Sequence, residues 1–103
     1  GKPVQAKPIS TFPPVKQDLA FTVSTDVTAA ELKQVIVEAA GDSLENIELF
    51  DVYTGDQLGE GEKSLAYAVT FRAPDKTLAS EDSEAIRKRI VDEASKLGAQ
   101  LRA

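Results

Sequence analysis

Between Ser64 and Phe71 the chain alternates without a break. Leu65, Tyr67, Val69 and Phe71 share one parity, and Ser64, Ala66, Ala68 and Thr70 share the other. Successive side chains of a strand point to opposite faces, so this segment predicts a strand with one bulky face and one small one. The bulky face must be covered, and the small face cannot fill a core. A sheet covered by helices on one side and bare on the other satisfies both demands. Pro74 stops the strand, because proline brings no backbone donor to a ladder.

Asp18–Val23 repeats the pattern, with Leu19, Phe21 and Val23 pointing one way and Ala20 and Thr22 the other. A helix follows with clear boundaries. Thr28 is placed to cap it and Glu31 to return the bond three residues on, while Val27 and Leu32 occupy the hydrophobic-staple positions. Leu32, Val35, Ile36, Ala39 and Ala40 form its apolar stripe, and Gly41 ends it. The strand from about Ile47 to Tyr53 is less regular. Ile47, Leu49, Asp51 and Tyr53 share one parity while Phe50 and Val52 sit on the other. Apolar residues on both parities imply a bulge near Leu49-Phe50 or a second covered face. Gly55, Gly59 and Gly61 punctuate the loop after it. A second helix is expected with Ser80 as N-cap, Glu81 and Asp82 in its first turn, and a stripe of Ile86, Ile90, Ala94 and Leu97. Gly98 closes it, and Ala99–Leu101 can form a short last strand.

The order β-α-β-β-α-β predicts an α+β fold, the ferredoxin-like split β-α-β plait. It is a four-stranded antiparallel sheet with two helices on one face and the other face open. Its 103 residues suffice for one domain. Residues 1–17 hold four of the five prolines and read as an extended leader or linker, leaving 18–103 as the folded domain. The chain contains no Met, even at position 1, so it is expected to be a processed protein or a domain of a longer one.

Composition removes much chemistry. Without Cys or His there are no disulfides, thiolate metal sites or usual zinc ligands, and most general-base schemes fail. Neither a catalytic residue nor a metal ligand set stands out. No stretch of ~18 apolar residues is present for a membrane span. The net charge of −5 weighs against a nucleic-acid partner, but the charge is uneven. Asp26 to Glu62 carries ten acids and one Lys, whereas the leader carries Lys2, Lys7 and Lys16 and no acid.

The candidate site is Phe50-Asp51-Val52-Tyr53-Thr54-Gly55 with the following Lys63-Ser64-Leu65-Ala66. Tyr53 offers a π surface and Asp51 a hydrogen-bond acceptor, at the rim of a face lined by Ala20, Ser64 and Ala66. Such a surface suits a flat ring, including a nucleobase. From the residues alone, two blander readings stay open. Tyr53 can simply pack beside Leu65 while Asp51 caps the loop, or Ile47 and Leu49 beside Tyr53 can form a subunit or domain interface. A small-molecule regulatory domain, which needs no signature residue, also stays open, while other uses of the plait fit less well. Iron–sulfur centres need Cys, the loop Ser24–Val27 is acidic rather than phosphate-binding, and central base-stacking aromatics are replaced by Ala and Thr.

Four ordered segments carry a family resemblance. Ser10-Thr11-Phe12-Pro13 through Asp18-Leu19-Ala20, Phe50-Asp51-Val52-Tyr53-Thr54-Gly55, Glu60-Gly61-Glu62-Lys63-Ser64-Leu65-Ala66 and Phe71-Arg72-Ala73-Pro74-Asp75-Lys76-Thr77-Leu78 resemble motifs of the ferredoxin-fold anticodon-binding domain. That domain closes the bacterial phenylalanyl-tRNA synthetase beta subunit, and the resemblance covers about residues 9–103. It implies a non-catalytic module that grips the anticodon stem-loop of tRNA-Phe. The implied parent is a cytoplasmic (αβ)₂ ligase using ATP and Mg²⁺, so the rest of the beta subunit and the alpha subunit are implied partners, with no cofactor in this part. It further implies that Tyr53 stacks on the first anticodon base, a G, with Asp51 and Ser64 beside it and Ala20 on the adjoining strand. Lys16, Lys63 and Arg72 are the expected phosphate contacts. Gln17 and Thr54 stand where relatives carry Arg, which predicts weaker, less salt-sensitive contact.

Overall fold

A computed structural model describes residues 12–55 and 58–102, so the leader up to Thr11 lies outside the described residues. The elements run β1 (Val15–Ser24), α1 (Ala29–Ala40), a 3₁₀ turn (Gly41–Ser43), β2 (Leu44–Tyr53), β3 (Glu62–Phe71), α2 (Ser80–Ser95) and β4 (Gln100–Leu101). The sheet order is β2-β3-β1-β4 and every pairing is antiparallel, which is the expected plait. β1 starts at Val15, three residues before the expected Asp18. Pro13 and Pro14 are the last residues unable to donate, and pairing of β1 with β3 begins immediately after them at Val15 opposite Phe71.

The core lies between the helices and one sheet face. Leu19, Phe21 and Val23 of β1 join Leu65, Tyr67, Val69 and Phe71 of β3, with Leu32, Ile36 and Ala40 of α1 and Ile86, Ile90 and Ala94 of α2. The Tyr67 hydroxyl donates 2.6 Å to the Ala29 carbonyl, tying β3 to the first turn of α1. Burial raises that phenol to a pKa of about 12, because an anion there would be stripped of water.

Thr28 and Glu31 form the expected reciprocal cap. Glu31 N donates to Thr28 Oγ1 at 3.0 Å and Thr28 N to Glu31 Oε1 at 2.9 Å. The bond from the Thr28 amide holds the Glu31 carboxyl below its usual range, with help from the Thr28 hydroxyl and the Lys63 charge. α2 begins one residue earlier than its polar side chains suggest. Ala79 is the N-cap and has no side chain to accept, so the cap is made by Asp82, which takes the Ala79 amide at 2.9 Å. Gly98 follows α2 at φ 80, where the Ala99 amide turns back to the Ala94 carbonyl at 3.1 Å.

β2 resolves its ambiguous parity with a bulge. Leu49 pairs with Tyr67 and Asp51 with Ala66, leaving Phe50 as an extra residue. A second shift occurs between Leu44 and Asn46. The extra residue at Phe50 changes which side the strand presents. Ile47 and Leu49 share register with Val69 and Tyr67 on the helix side, whereas Asp51 and Tyr53 share it with Ala66 and Ser64 on the open side. The expectation that Ile47 and Leu49 flank Tyr53 on one face is therefore corrected. Ile47 packs against the core instead.

Candidate nucleic-acid interface

Register across the sheet lays the open face out in rows. Tyr53, Ser64, Thr22 and Gln100 form the first, nearest the β2–β3 loop. Asp51, Ala66 and Ala20 form the second, and the Arg102 amide extends it by donating 2.7 Å to the Ala20 carbonyl. Glu48, Ala68 and Asp18 form the third, and Asn46, Thr70 and Lys16 the fourth. Tyr53, Asp51, Ser64 and Ala20 thus fall on two adjacent rows.

These rows have a low floor and a tall rim. Ser64 and Ala66 are only 4% and 8% exposed although they lie on the side away from the helices, Ser64 between Tyr53 and Thr22 and Ala66 between Asp51 and Ala20. The Ser64 hydroxyl makes no hydrogen bond among the described residues. The oxygen is not among the buried atoms left without a partner, so it reaches solvent and is open to a ligand. Tyr53 stays 37% exposed at the edge. Asp51 is exposed too, so its carboxylate remains available as an acceptor.

The loop after β2 holds this edge in place. Gly59 N donates to Glu62 Oε1 at 2.9 Å, Glu62 N to the Gly59 carbonyl at 3.2 Å, and Thr25 N to the Gly61 carbonyl at 2.9 Å. Those bonds fasten the start of β3 to the loop between β1 and α1. Gly55, the last residue of the Phe50–Gly55 segment, meets the Tyr53 ring. A Cβ there would lie 2.8 Å from Tyr53 Cζ and closer still to the hydroxyl, so the ring tip rests on the bare glycine. The signal was present as the two-residue step from Tyr53 to Gly55, since this glycine is not among those with positive φ.

The three expected phosphate contacts separate. Lys16 is exposed on the open face, in the row farthest from Tyr53. Lys63 pairs with buried Val23, which puts it on the helix side, where its charge acts on Glu31. Arg72 is already engaged. Its Nη1 donates 2.7 Å to the Phe12 carbonyl, and its Nε lies 2.9 Å from Glu45 Oε2, off the N–H axis, so that contact is an ion pair rather than a hydrogen bond. Arg72 clasps the entering chain to the end of the sheet. Arg72→Ala is expected to cost about 1–2 kcal/mol of stability in urea melts by freeing both partners. Arg102 is a cation the sequence reading missed. It continues β4 beside Ala20, and parity one residue beyond Leu101 would have found it.

Two acids also share the open face, Asp18 and Glu48 flanking Ala68. Among the described residues no group of three or more acids is placed to hold a metal ion. No helix among them is long and apolar enough to cross a membrane.

Comparison with known proteins places the chain. The family model described as the ferredoxin-fold anticodon binding domain matches residues 10–102. The phenylalanine–tRNA ligase beta subunit of Bifidobacterium longum is 74% identical over 103 residues, all of this chain. Those of Mycolicibacterium paratuberculosis and Symbiobacterium thermophilum are 50% and 45% identical over 91% and 93% of it. The chain spans only 11–12% of the length of these relatives. With the family model covering all of the sheet and both helices, the chain belongs to the ferredoxin-fold anticodon binding domain family.

Proposed function

We propose that this domain binds the anticodon stem-loop of tRNA-Phe on the loop end of its open sheet face, as part of a phenylalanine–tRNA ligase beta subunit. One observation carries the reading: Tyr53 shares its row with Ser64 at the sheet edge, with Asp51, Ala66 and Ala20 in the next row. A base lying there stacks on the Tyr53 ring, approaches closely over the small side chains, and offers ring or amino N–H groups to Asp51. The free Ser64 hydroxyl adds a donor or an acceptor. A guanine, the base the resemblance implies, presents such donors on its Watson–Crick edge.

The charge distribution supports the same orientation. Asp18 and Glu48 occupy the middle of the open face and repel phosphates. The neutral, aromatic side of a nucleotide is better matched to the loop end, with its backbone held toward the sheet margins where Arg102 and Lys16 lie. The domain itself performs no chemistry in this reading. It adds one grip to a tRNA held at several places, which raises the effective concentration of the acceptor end at the ligase site. That site belongs to the remainder of an (αβ)₂ cytoplasmic enzyme with its alpha subunit, ATP and Mg²⁺.

A second reading has its own support. Leu49, Phe50 and Val52 are exposed along the unpaired edge of β2, as an interface with another subunit or domain requires. Titrating the domain with an anticodon stem-loop and following backbone amide shifts separates the two. Shifts grouped at Ala20, Asp51, Tyr53 and Ser64 are expected. Silence at about millimolar stem-loop, where an affinity of only about −4 kcal/mol would register, favours the interface.

A further inference from the structure

We infer that Gly55 is a positioning residue for base recognition, acting only through the ring of Tyr53; this rests on the stacking role proposed above. Glycine is usually required where the backbone turns to positive φ, as at Gly41, Gly61 and Gly98. Gly55 is not among them, so its backbone conformation admits other residues. What excludes a side chain is space. The three heavy atoms nearest a Cβ at this position are all Tyr53 atoms: the hydroxyl oxygen, Cζ at 2.8 Å and Cε2 at 3.3 Å.

The consequence is a defined ring position. Tyr53 is the last residue of β2 and an edge residue, with a strand neighbour on one side only, Ser64. The edge leaves its outer side to solvent, and the ring is held by resting its tip on the Gly55 Cα. In that position it marks the edge of the row it shares with Ser64, one row from Asp51. An alanine at 55 cannot coexist with this placement, because contacts under 3.0 Å involve the rigid end of an aromatic ring. The ring must swing away, and a stacked base loses both its partner and its alignment with Asp51. Direct effects on the rest of the fold are not expected, since no other atom is among those the Cβ would meet first.

The test is a double-mutant cycle in the intact ligase, read as kcat/KM for tRNA, with phenylalanine-dependent ATP–pyrophosphate exchange as the control for active enzyme. Gly55→Ala should lose up to the roughly 5- to 150-fold given up when a stacking ring is deleted. In the Tyr53→Ala background the same substitution should change the rate by no more than about twofold, because its target is gone. A purely structural role for Gly55 would give equal losses in both backgrounds and would overturn the inference. Ring proton shifts of Tyr53 in the domain should move in Gly55→Ala while those of Tyr67 stay, and unmoved Tyr53 shifts would also overturn it. A costly Tyr53→Ala with a silent Gly55→Ala defeats the positioning role alone. A silent Tyr53→Ala defeats the stacking reading and this use of Gly55 with it.

Discussion

Replacing Tyr53 with alanine in the assembled ligase should reduce kcat/KM for tRNA by roughly 5- to 150-fold, the equivalent of about 1–3 kcal/mol for one base stack. Phenylalanine-dependent ATP–pyrophosphate exchange should be unchanged, because that step needs no tRNA. The direction follows from what Tyr53 does in the fold. It is more than a third exposed and outside the buried core, so its removal subtracts surface from the open face without opening a cavity. Tyr53→Phe should retain most of the activity, since the stack needs the ring and not the hydroxyl. The loss in Tyr53→Ala should also persist as salt is raised. The face around it carries Asp51, Glu48 and Asp18, and little of the binding there can come from releasing counterions from phosphates. Unchanged tRNA kinetics in a folded Tyr53→Ala enzyme would sink the anticodon assignment.

The sheet was legible in the sequence wherever a strand sits between two others. β1 and β3 are such strands, and their alternation named both faces correctly down to single residues. Tyr67 and Ala66 are neighbours in sequence and lie on opposite sides because a paired strand has no freedom to do otherwise. β2 is an edge with one partner, and there parity signals the bulge but not that Ile47 and Leu49 part from Tyr53. A single inserted residue at Phe50, signalled in the sequence by apolar residues on both parities, moves Asp51 and Tyr53 to the face opposite Ile47 and Leu49. The site depends on that shift. Without it Tyr53 would fall on the helix side with Val69 and Tyr67. The cations were the least legible part, because a Lys or Arg side chain reports its charge in the sequence but not its side. Lys63 proved to be on the helix side through its register with Val23, and Arg72 was committed to Phe12 and Glu45. The first of those was available from parity, since Lys63 precedes Ser64 on an alternating strand. The second depended on a contact 60 residues apart and could not be read locally.

Tyr67 separates packing from hydrogen bonding in the core, and its two substitutions should differ sharply. Tyr67→Ala removes a fully buried ring from beneath α1 and should cost about 3–5 kcal/mol, a large share of the ~5–15 kcal/mol that holds a domain of this size. Tyr67→Phe keeps the ring and gives up the bond to the Ala29 carbonyl, for a loss of about 0.5–1.5 kcal/mol. The tyrosine also makes stability fall in alkali. An unfolded tyrosine ionises near pH 10, whereas burial in the fold holds this phenol to about 12. Between those values the unfolded chain has released a proton that the folded one keeps, so its contribution is fully present below about pH 10 and is lost as pH rises toward 12. Ionisation would in addition remove the donor that the Ala29 carbonyl needs. Urea melts at about pH 8 and about pH 11 should therefore show a steeper alkaline loss for the native domain than for Tyr67→Phe. Equal losses in the two proteins would mean that the phenol is not held neutral by the fold, and that the link between β3 and the first turn of α1 contributes packing alone.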